Sequence, residues 1–430
     1  MITTAYVNIW NQRIGAVAWD SNTRMGSFEY DPSFLELELD LSPIKLPTKN
    51  AKKRIFSFPE LKENETFKGL PGLLADILPD YYGNALINSW LSTQGRPTDS
   101  LNPIETLCFI GKRGMGAIEI EPARGGSGSV SKNLEINSLI DVVEEILTKR
   151  KNFKIPSESK ERRAFYDILK IGTSAGGARA KAVIAFNEET KEIRSGQFFA
   201  PEGFEHWLIK FDGVIDKQFG SSNGYGRVEM AYYEMAKDAG IEIMESRLLE
   251  ENGRSHFMTK RFDRNEQGDK IHVQTFCALR HFDFNNVLQY SYEQLFETMR
   301  MLRLSYPQAE QMYRRMAFNI MSRNCDDHTK NFAFMMNKKG SWKLAPAYDL
   351  CHAYRPASQW VSQHSLSING KQSDINRQDL LDIAYKMNVK KAPKILDEIK
   401  DVVSEWNYYA DRNKVHKDLS NAINETLVLI

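Results

Sequence analysis

The chain has almost no excess of either charge: 57 lysines and arginines stand against 56 aspartates and glutamates over 430 residues, a formal net charge of +1. That balance excludes a global field drawing the whole molecule to nucleic acid, a membrane surface or an acidic substrate, and leaves room only for a local basic patch. Cysteine is scarce too. Cys108, Cys277, Cys325 and Cys351 are scattered with no CxxC spacing, which argues against a zinc site or a disulfide framework and for reduced structural thiols. No apolar run approaches the ~18 residues that a membrane-crossing helix needs. The opening stretch MITTAYVNIWNQR lacks a charged segment followed by an apolar one, so a cytoplasmic protein without membrane attachment is expected. No internal repeat of useful length is found.

What the chain does have is apolar material, 42% of its residues, and at this length two or three compact units are expected. The first stretch opens with short β-like runs, Ala5 to Trp10 and Ile14 to Trp19, and turns helical around Gly72 to Leu91. The run Arg124-Gly-Gly-Ser-Gly-Ser-Val-Ser131 reads as a linker, because Gly and Ser are costly to order and bury little. Further on, β-rich pieces at Ala182 to Phe186, Trp207 to Phe211 and His256 to Phe262 surround one helical pattern, Val228 to Ala239. Beyond Ser291 apolar residues recur at helical spacing, as Leu295, Met299 and Leu302, as Met312, Met316 and Ile320, and as Ile395, Ile399, Val402 and Trp406. The expected division is an α+β unit over 1–124, a β-rich lobe over 125–264 and a mainly helical lobe over 265–430.

The sharpest chemical signal is Asn324-Cys-Asp-Asp-His-Thr-Lys-Asn331, which follows a helical pattern and precedes a β-like run, Phe332 to Met336. Asp326 and Asn331 stand at the D-x-x-x-x-N spacing of a kinase catalytic loop, where the carboxylate takes the proton of the substrate hydroxyl and the amide oxygen ligates a metal. The turn Asn337-Lys-Lys-Gly-Ser341 implies a hairpin that brings Asp349, in Leu344-Ala-Pro-Ala-Tyr-Asp349, back beside Asn331. One carboxylate and one amide converging there suit Mg²⁺, which prefers hard oxygen ligands. His328 reads either as a residue that orders the loop or as a contact to phosphate.

Two upstream signals are weaker. Gly172-Thr-Ser-Ala-Gly-Gly-Ala-Arg-Ala-Lys181 has the small residues that let backbone N–H groups approach a phosphate, with Arg179 and Lys181 adding positive charge. It is neither a Walker motif nor G-x-G-x-x-G, and a plain surface turn would look the same. His206-Trp-Leu-Ile-Lys-Phe211 is an apolar strand with Lys210 inside it. Such a lysine is usually surface decoration, but in a kinase it reaches the nucleotide phosphates and is held by a helical acid, here Glu229 in preference to Glu234.

Taken together these segments resemble the HipA family of bacterial toxin kinases. The residues that carry the resemblance are Ser174-Ala-Gly-Gly-Ala-Arg-Ala-Lys181, Trp207-Leu-Ile-Lys210, Lys260-Arg-Phe-Asp-Arg264, Asp326-Asp-His-Thr-Lys-Asn331 and Pro346-Ala-Tyr-Asp349, with Phe67-Lys-Gly-Leu-Pro-Gly-Leu-Leu-Ala-Asp-Ile-Leu-Pro-Asp80 resembling the N-terminal subdomain. The resemblance implies an α+β, two-lobed protein-kinase-like fold with a small β-rich N-terminal subdomain and a mainly helical C-terminal lobe. It further implies ATP and Mg²⁺ as cofactors, with nucleotide contacts from Gly176, Gly177, Ala178, Arg179, Ala180, Lys181, Lys210, His328, Thr329, Lys330, Asn331, Tyr348 and Asp349. Lys260, Arg261 and Phe262 fall at the hinge that offers backbone groups to adenine, with Lys260 where the family often has glutamate. Ser174 matches a serine whose autophosphorylation inactivates the enzyme, and about two negative charges beside the ATP phosphates would indeed repel them. The implied partners are a protein substrate such as an aminoacyl-tRNA synthetase and a HipB-like helix-turn-helix antitoxin through which operator DNA is reached. Two other readings remain at this point: a non-catalytic co-repressor on the same fold, and a kinase acting on a small-molecule or lipid hydroxyl.

Overall fold

In a computed structural model the residues described are 2–122, 136–149, 159–173, 179–197, 200–216, 220–221 and 224–430. They form two compact units, one of residues 1–39, 48–226 and 246–272, the other of 40–47, 227–245 and 273–430. The expected linker around 124–131 lies outside the described residues.

The first unit holds two five-stranded sheets. One has the order β4-β3-β2-β1-β5, from β1 (Thr4–Ile9), β2 (Gln12–Asp20), β3 (Met25–Tyr30), β4 (Ile55–Phe56) and β5 (Ile118–Glu121). The β1–β2 hairpin turns on Trp10 and Asn11, both at positive φ, as a tight two-residue turn requires. Gly15 on β2 is obligatory, since a Cβ there would stand 2.2 Å from the Glu29 carbonyl oxygen. Val7, Ile9, Ile14, Val17 and Phe28 are buried in this layer's core. With it go α1 (Pro32–Leu35), α2 (Gly72–Ala75), α3 (Tyr81–Thr93) and α4 (Pro103–Ile110). The helix expected over 72–91 is thus two helices. Pro79 cannot donate to a helical ladder and pushes the residue before it out of the helical region.

Helices α5 (Ile136–Lys149) and α6 (Ser159–Gly172) pack on each other. The second sheet has the order β11-β12-β8-β6-β7, built from β6 (Lys181–Asn187), β7 (Ile193–Ser195), β8 (Phe204–Lys210), β11 (Ser246–Glu251) and β12 (Arg254–Lys260). A two-stranded piece, β9 (Ile215–Asp216) with β10 (Gly220–Ser221), lies between them in sequence. All seven residues of β6 are buried, which is why it reads as a continuous apolar run rather than an alternating one.

The second unit is built on α7 (Tyr225–Asp238), whose body from Val228 to Ala236 buries its apolar stripe among the helices that follow. These are α8 (Phe276–Arg280), α9 (Tyr292–Met301), α10 (Tyr306–Met321), α11 (Arg377–Met387), α12 (Ala392–Ser404), α13 (Trp406–Arg412) and α14 (Lys417–Asn424). The stripe read at Ile395, Ile399 and Trp406 spans two of them, because the chain leaves the helix at Glu405 and restarts. Short strands β13 (His272–Thr275), β15 (Ala333–Met336) and β16 (Trp342–Leu344) form one sheet, and β14 (Tyr290–Ser291) pairs with β17 (Leu366–Ser367). Residues 40–47 join this unit from far upstream: the Trp342 indole donates to the Asp40 carbonyl at 3.3 Å and Gln274 to the Ser42 hydroxyl at 3.3 Å. Among the described residues no helix is long and apolar enough to cross a membrane.

Candidate active site

The motif around Asp326 begins where α10 stops. Arg323 takes a positive φ after the last helical turn, and the loop it starts is pinned from below by Asp327. Asp327 is 1% exposed. Its carboxylate accepts from the Tyr292 hydroxyl at 2.8 Å and the Ser365 amide at 2.7 Å, and lies 3.0 Å from His364 Nδ1. Asp326, the residue before it, keeps 48% of its side chain in solvent. The buried neighbour thus anchors the backbone that carries the more exposed one.

The rest of the loop closes tightly. Asn331 Nδ2 donates to the Asp326 carbonyl at 2.6 Å, so the amide is oriented and Oδ1 is left as its ligating atom. Thr329 donates to the Phe282 carbonyl at 2.8 Å, and the Lys330 ammonium lies 4.7 Å from the Phe284 ring centre. His328 stacks obliquely on Phe284, 5.2 Å between centres, with Nε2 3.9 Å from Asp326 Oδ1. Strands β15 and β16 form the expected hairpin, pairing Phe334 with Leu344. Its return brings the Tyr348 hydroxyl within 2.6 Å of the Lys330 carbonyl, to which it donates. Asp349 follows at φ +56°, a backbone region that residues other than glycine seldom occupy and that clusters at functional sites. The residue types expected of the donor set, an amide at Asn331 and a carboxylate at Asp349, suit a hard cation that keeps the rest of its shell for water and phosphate.

Sequence reasoning missed His364, Tyr292 and Ser365. Nothing local marks them, since each is brought to Asp327 only by tertiary folding. Burial works against charge on His364, but the Asp327 carboxylate outweighs it and lifts the imidazole to about 10. The Tyr292 phenol is pushed well above its ordinary value by burial and by the same carboxylate.

Among the first unit's candidates, Lys181 and Lys210 stand directly opposite each other on β6 and β8. Like charges set across a sheet repel, an arrangement suited to a multiply charged anion. The Lys210 ammonium lies 5.8 Å from the Phe257 ring centre, and the Arg179 guanidinium lies 4.4 Å over the Tyr225 ring. Ala180 accepts from the Phe211 amide at 3.0 Å, which ties the end of β8 to the start of β6. Beyond β8, Asp212 accepts from the amides of Gly224 and Ser255 at 2.9 and 3.2 Å. Ser174, Gly176, Gly177 and Ala178 lie outside the described residues.

The segment Lys260 to Arg264 is occupied with its own unit. Lys260 pairs with Glu205, and the Arg261 amide donates to the His206 carbonyl at 2.9 Å. The Arg261 guanidinium grips Asp263 at 2.7 and 2.6 Å, and Arg264 and the Gly116 amide bind the same carboxylate. Phe262 lies between these anchors in sequence. Of the two acids weighed on α7, Glu234 accepts from Asn413 at 2.9 Å and lies 3.6 Å from Arg412, so it is engaged within its own unit, whereas Glu229 keeps Oε2 buried.

A sequence model of the HipA-like C-terminal domain matches residues 173–406, and one of the HipA N-terminal domain matches 5–121. A structure of the Shewanella oneidensis toxin-antitoxin system HipA with HipB and operator DNA matches at 15% identity and a TM-score of 0.65, covering 98% of this chain and 96% of that one. The Helicobacter pylori proinflammatory kinase CtkA aligns with 54% of this chain and 90% of its own at 14% identity, but its TM-score of 0.34 is too low to carry an argument. No curated protein matches. The fold is that of a HipA-like α+β protein. The chain belongs to the HipA family.

Proposed function

We propose that the chain is an ATP-dependent serine/threonine protein kinase and the toxin of a bacterial toxin-antitoxin module. The observation that carries the reading is the construction of the 324–331 loop: Asp326 is exposed on a backbone that Asp327 anchors and that the Asn331 amide closes at 2.6 Å. A pure scaffold has no physical need for a metal-ligand pair of the kind proposed at Asn331 and Asp349.

In this mechanism Asp326 accepts the proton of the substrate hydroxyl while that oxygen bonds to the γ-phosphorus, and the bond to the β,γ-bridging oxygen breaks to release ADP. Lys210 and Lys181 neutralise the nucleotide phosphates, aided by Arg179 and Lys330. Glu229 supports Lys210. Mg²⁺ when bound offsets the charge on the phosphate oxygens, and Asn331 and Asp349 are the residues that would hold it. Lys260, Arg261 and Phe262 offer main-chain groups to adenine, the Arg261 amide and side chain being engaged within their own unit. Ser174 is the proposed autophosphorylation site.

For partners, the HipA structure from Shewanella oneidensis, in complex with HipB and operator DNA, supports a HipB-like antitoxin that brings DNA contact with it. The proposed target is a translation protein such as an aminoacyl-tRNA synthetase, phosphorylated in the cytoplasm. The test is incubation of purified wild type and Asp326→Asn with Mg²⁺ and ATP, followed by intact-mass and peptide mass spectrometry. Wild type should gain one phosphate at Ser174, and the variant should be slower by about 10²–10⁴-fold while still binding ATP. Equal phosphorylation in both would remove Asp326 from its role, and no transfer by wild type to itself or to candidate synthetases would favour a binding protein.

A further inference from the structure

We propose that the buried His364–Asp327 pair is a positioning latch, tying the segment after Asp349 to the loop that carries Asp326 and setting the rate of phosphoryl transfer without contacting nucleotide. The proposal rests on the kinase reading above and concerns how that site is held ready.

The segment 350–365 is fastened to the loop at both ends. Near its start the Ala353 amide donates to the Arg323 carbonyl at 3.0 Å, and the Cys325 amide donates to the Ala353 carbonyl at 3.1 Å. Its middle is folded on itself, with the Arg355 amide donating to the Val361 carbonyl at 3.1 Å. At its far end His364 and Ser365 both engage Asp327, and the Ser365 hydroxyl donates to the Cys325 carbonyl at 3.2 Å. Asp327 is in turn braced by α9 and α10. The Tyr292 hydroxyl that donates to Asp327 accepts from Asn319 at 3.0 Å, and Asn319 accepts from Asn324 at 3.0 Å. The chain of bonds thus closes a ring through the loop, two helices and the segment's end.

The groups facing His364 are Asp327 and Cys325 from the loop, with Cys325 Sγ 3.7 Å from Nε2, and Tyr292 from α9 acting through Asp327. Burial disfavours the imidazolium and the Asp327 carboxylate more than restores it, to about 10, so the His364 ring stays charged near neutral pH. Both side chains are almost wholly buried. An ion pair so placed is lost at high cost when one partner is removed, but it need not add to stability over an apolar pair, and its use lies in fixing one arrangement. Kinases commonly order the segment after the metal-binding aspartate by phosphorylating it. Here the buried pair does that work.

The experiment follows ADP formation from MgATP by the full chain, which reports transfer whichever hydroxyl accepts, in wild type, His364→Ala, His364→Asn, Asp327→Asn and Tyr292→Phe. Thermal melting checks that each is folded. His364→Ala and Asp327→Asn should each turn over at least tenfold more slowly at saturating ATP, with KM for ATP changed less than twofold. His364→Asn, which keeps a donor near Nδ1, should recover part of the loss, and Tyr292→Phe, the mildest change, should show a smaller loss in the same pattern. Folded variants that turn over as fast as wild type, or losses that appear in KM, overturn the latch. If His364→Ala does not fold, Tyr292→Phe decides by the same split. Wild type that forms no ADP, alone or with candidate synthetases added as acceptors, defeats the kinase reading itself and the latch with it, an outcome distinct from active wild type with unaffected variants.

Discussion

Asp263 is a residue whose part in its segment is architectural. In the sequence it sits within Lys260-Arg-Phe-Asp-Arg264, a segment whose resemblance points to adenine. In the structure its carboxylate is 1% exposed and bound by two guanidinium groups and the Gly116 amide. Burial alone would raise its pKa, yet Arg261 and Arg264 outweigh it and hold the carboxyl well below the usual carboxylate range. Removing it takes from two arginines the buried carboxylate that both bind, so Asp263→Ala should cost about 3–5 kcal/mol. Urea unfolding at pH 7 measures this, and a loss below about 1 kcal/mol would show the cluster to be dispensable. The sign with pH follows from the depressed value. The contribution is complete above the unfolded carboxyl's ~4 and disappears only as pH falls through the lower folded value, so the variant's deficit should be the same at pH 7 and pH 5.

At the scale of elements, the strands and helices that carry the site were legible because their patterns are local. Ala182 to Phe186 falls within β6, Trp207 to Phe211 and Val228 to Ala239 each run one residue past the end of β8 and α7, and Met312 to Ile320 lies on α10, since two-residue and 3.6-residue periods are set by neighbours in sequence. The D-x-x-x-x-N spacing and the following hairpin were legible for the same reason. The latch at Asp327 was not, because His364 stands 37 residues away and only the fold brings it near. Nor could any window of sequence show that residues 40–47 pack with Gln274 and Trp342. One junction of elements gives a sharp test. Gly226, in the first turn of α7, lies so close to β12 that a Cβ would stand 1.9 Å from the Ser255 carbonyl oxygen. Backbone cannot yield as a flexible side chain does, so Gly226→Ala should destabilise by about 1–3 kcal/mol. Differential scanning calorimetry on the full chain reads it, and an unchanged melting temperature would mean that the helix start is free to move.

At the scale of the whole molecule, buried and half-buried histidines give both units the same response to acid. His206 and His256 in the first unit are lowered by burial to about 4, His281 and His352 in the second to about 3 and about 4, from an ordinary value of about 6.5. Neighbouring arginines push His206, His256 and His352 the same way after burial, and Lys45 does so for His281. The folded state keeps these rings neutral while the unfolded state protonates them as pH falls below about 6.5. The unfolded state then binds more protons, so stability decreases steadily from about pH 6.5 down to about 4. His364 cannot mask this: raised to about 10, it is charged in both states below pH 6.5, and its own contribution is lost only as pH rises from there towards 10. Above about pH 8 the half-buried Lys270, lowered to about 8 by burial, acts in the sense opposite to His364, so the acid side alone gives a clean slope. The melting temperature should therefore drop by several degrees between pH 7 and pH 5, and the double substitution His206→Gln with His256→Gln should flatten that slope. A melting temperature that does not change over this interval would mean that the buried rings find proton acceptors in the folded state, and the acid response would then have to be assigned to other groups.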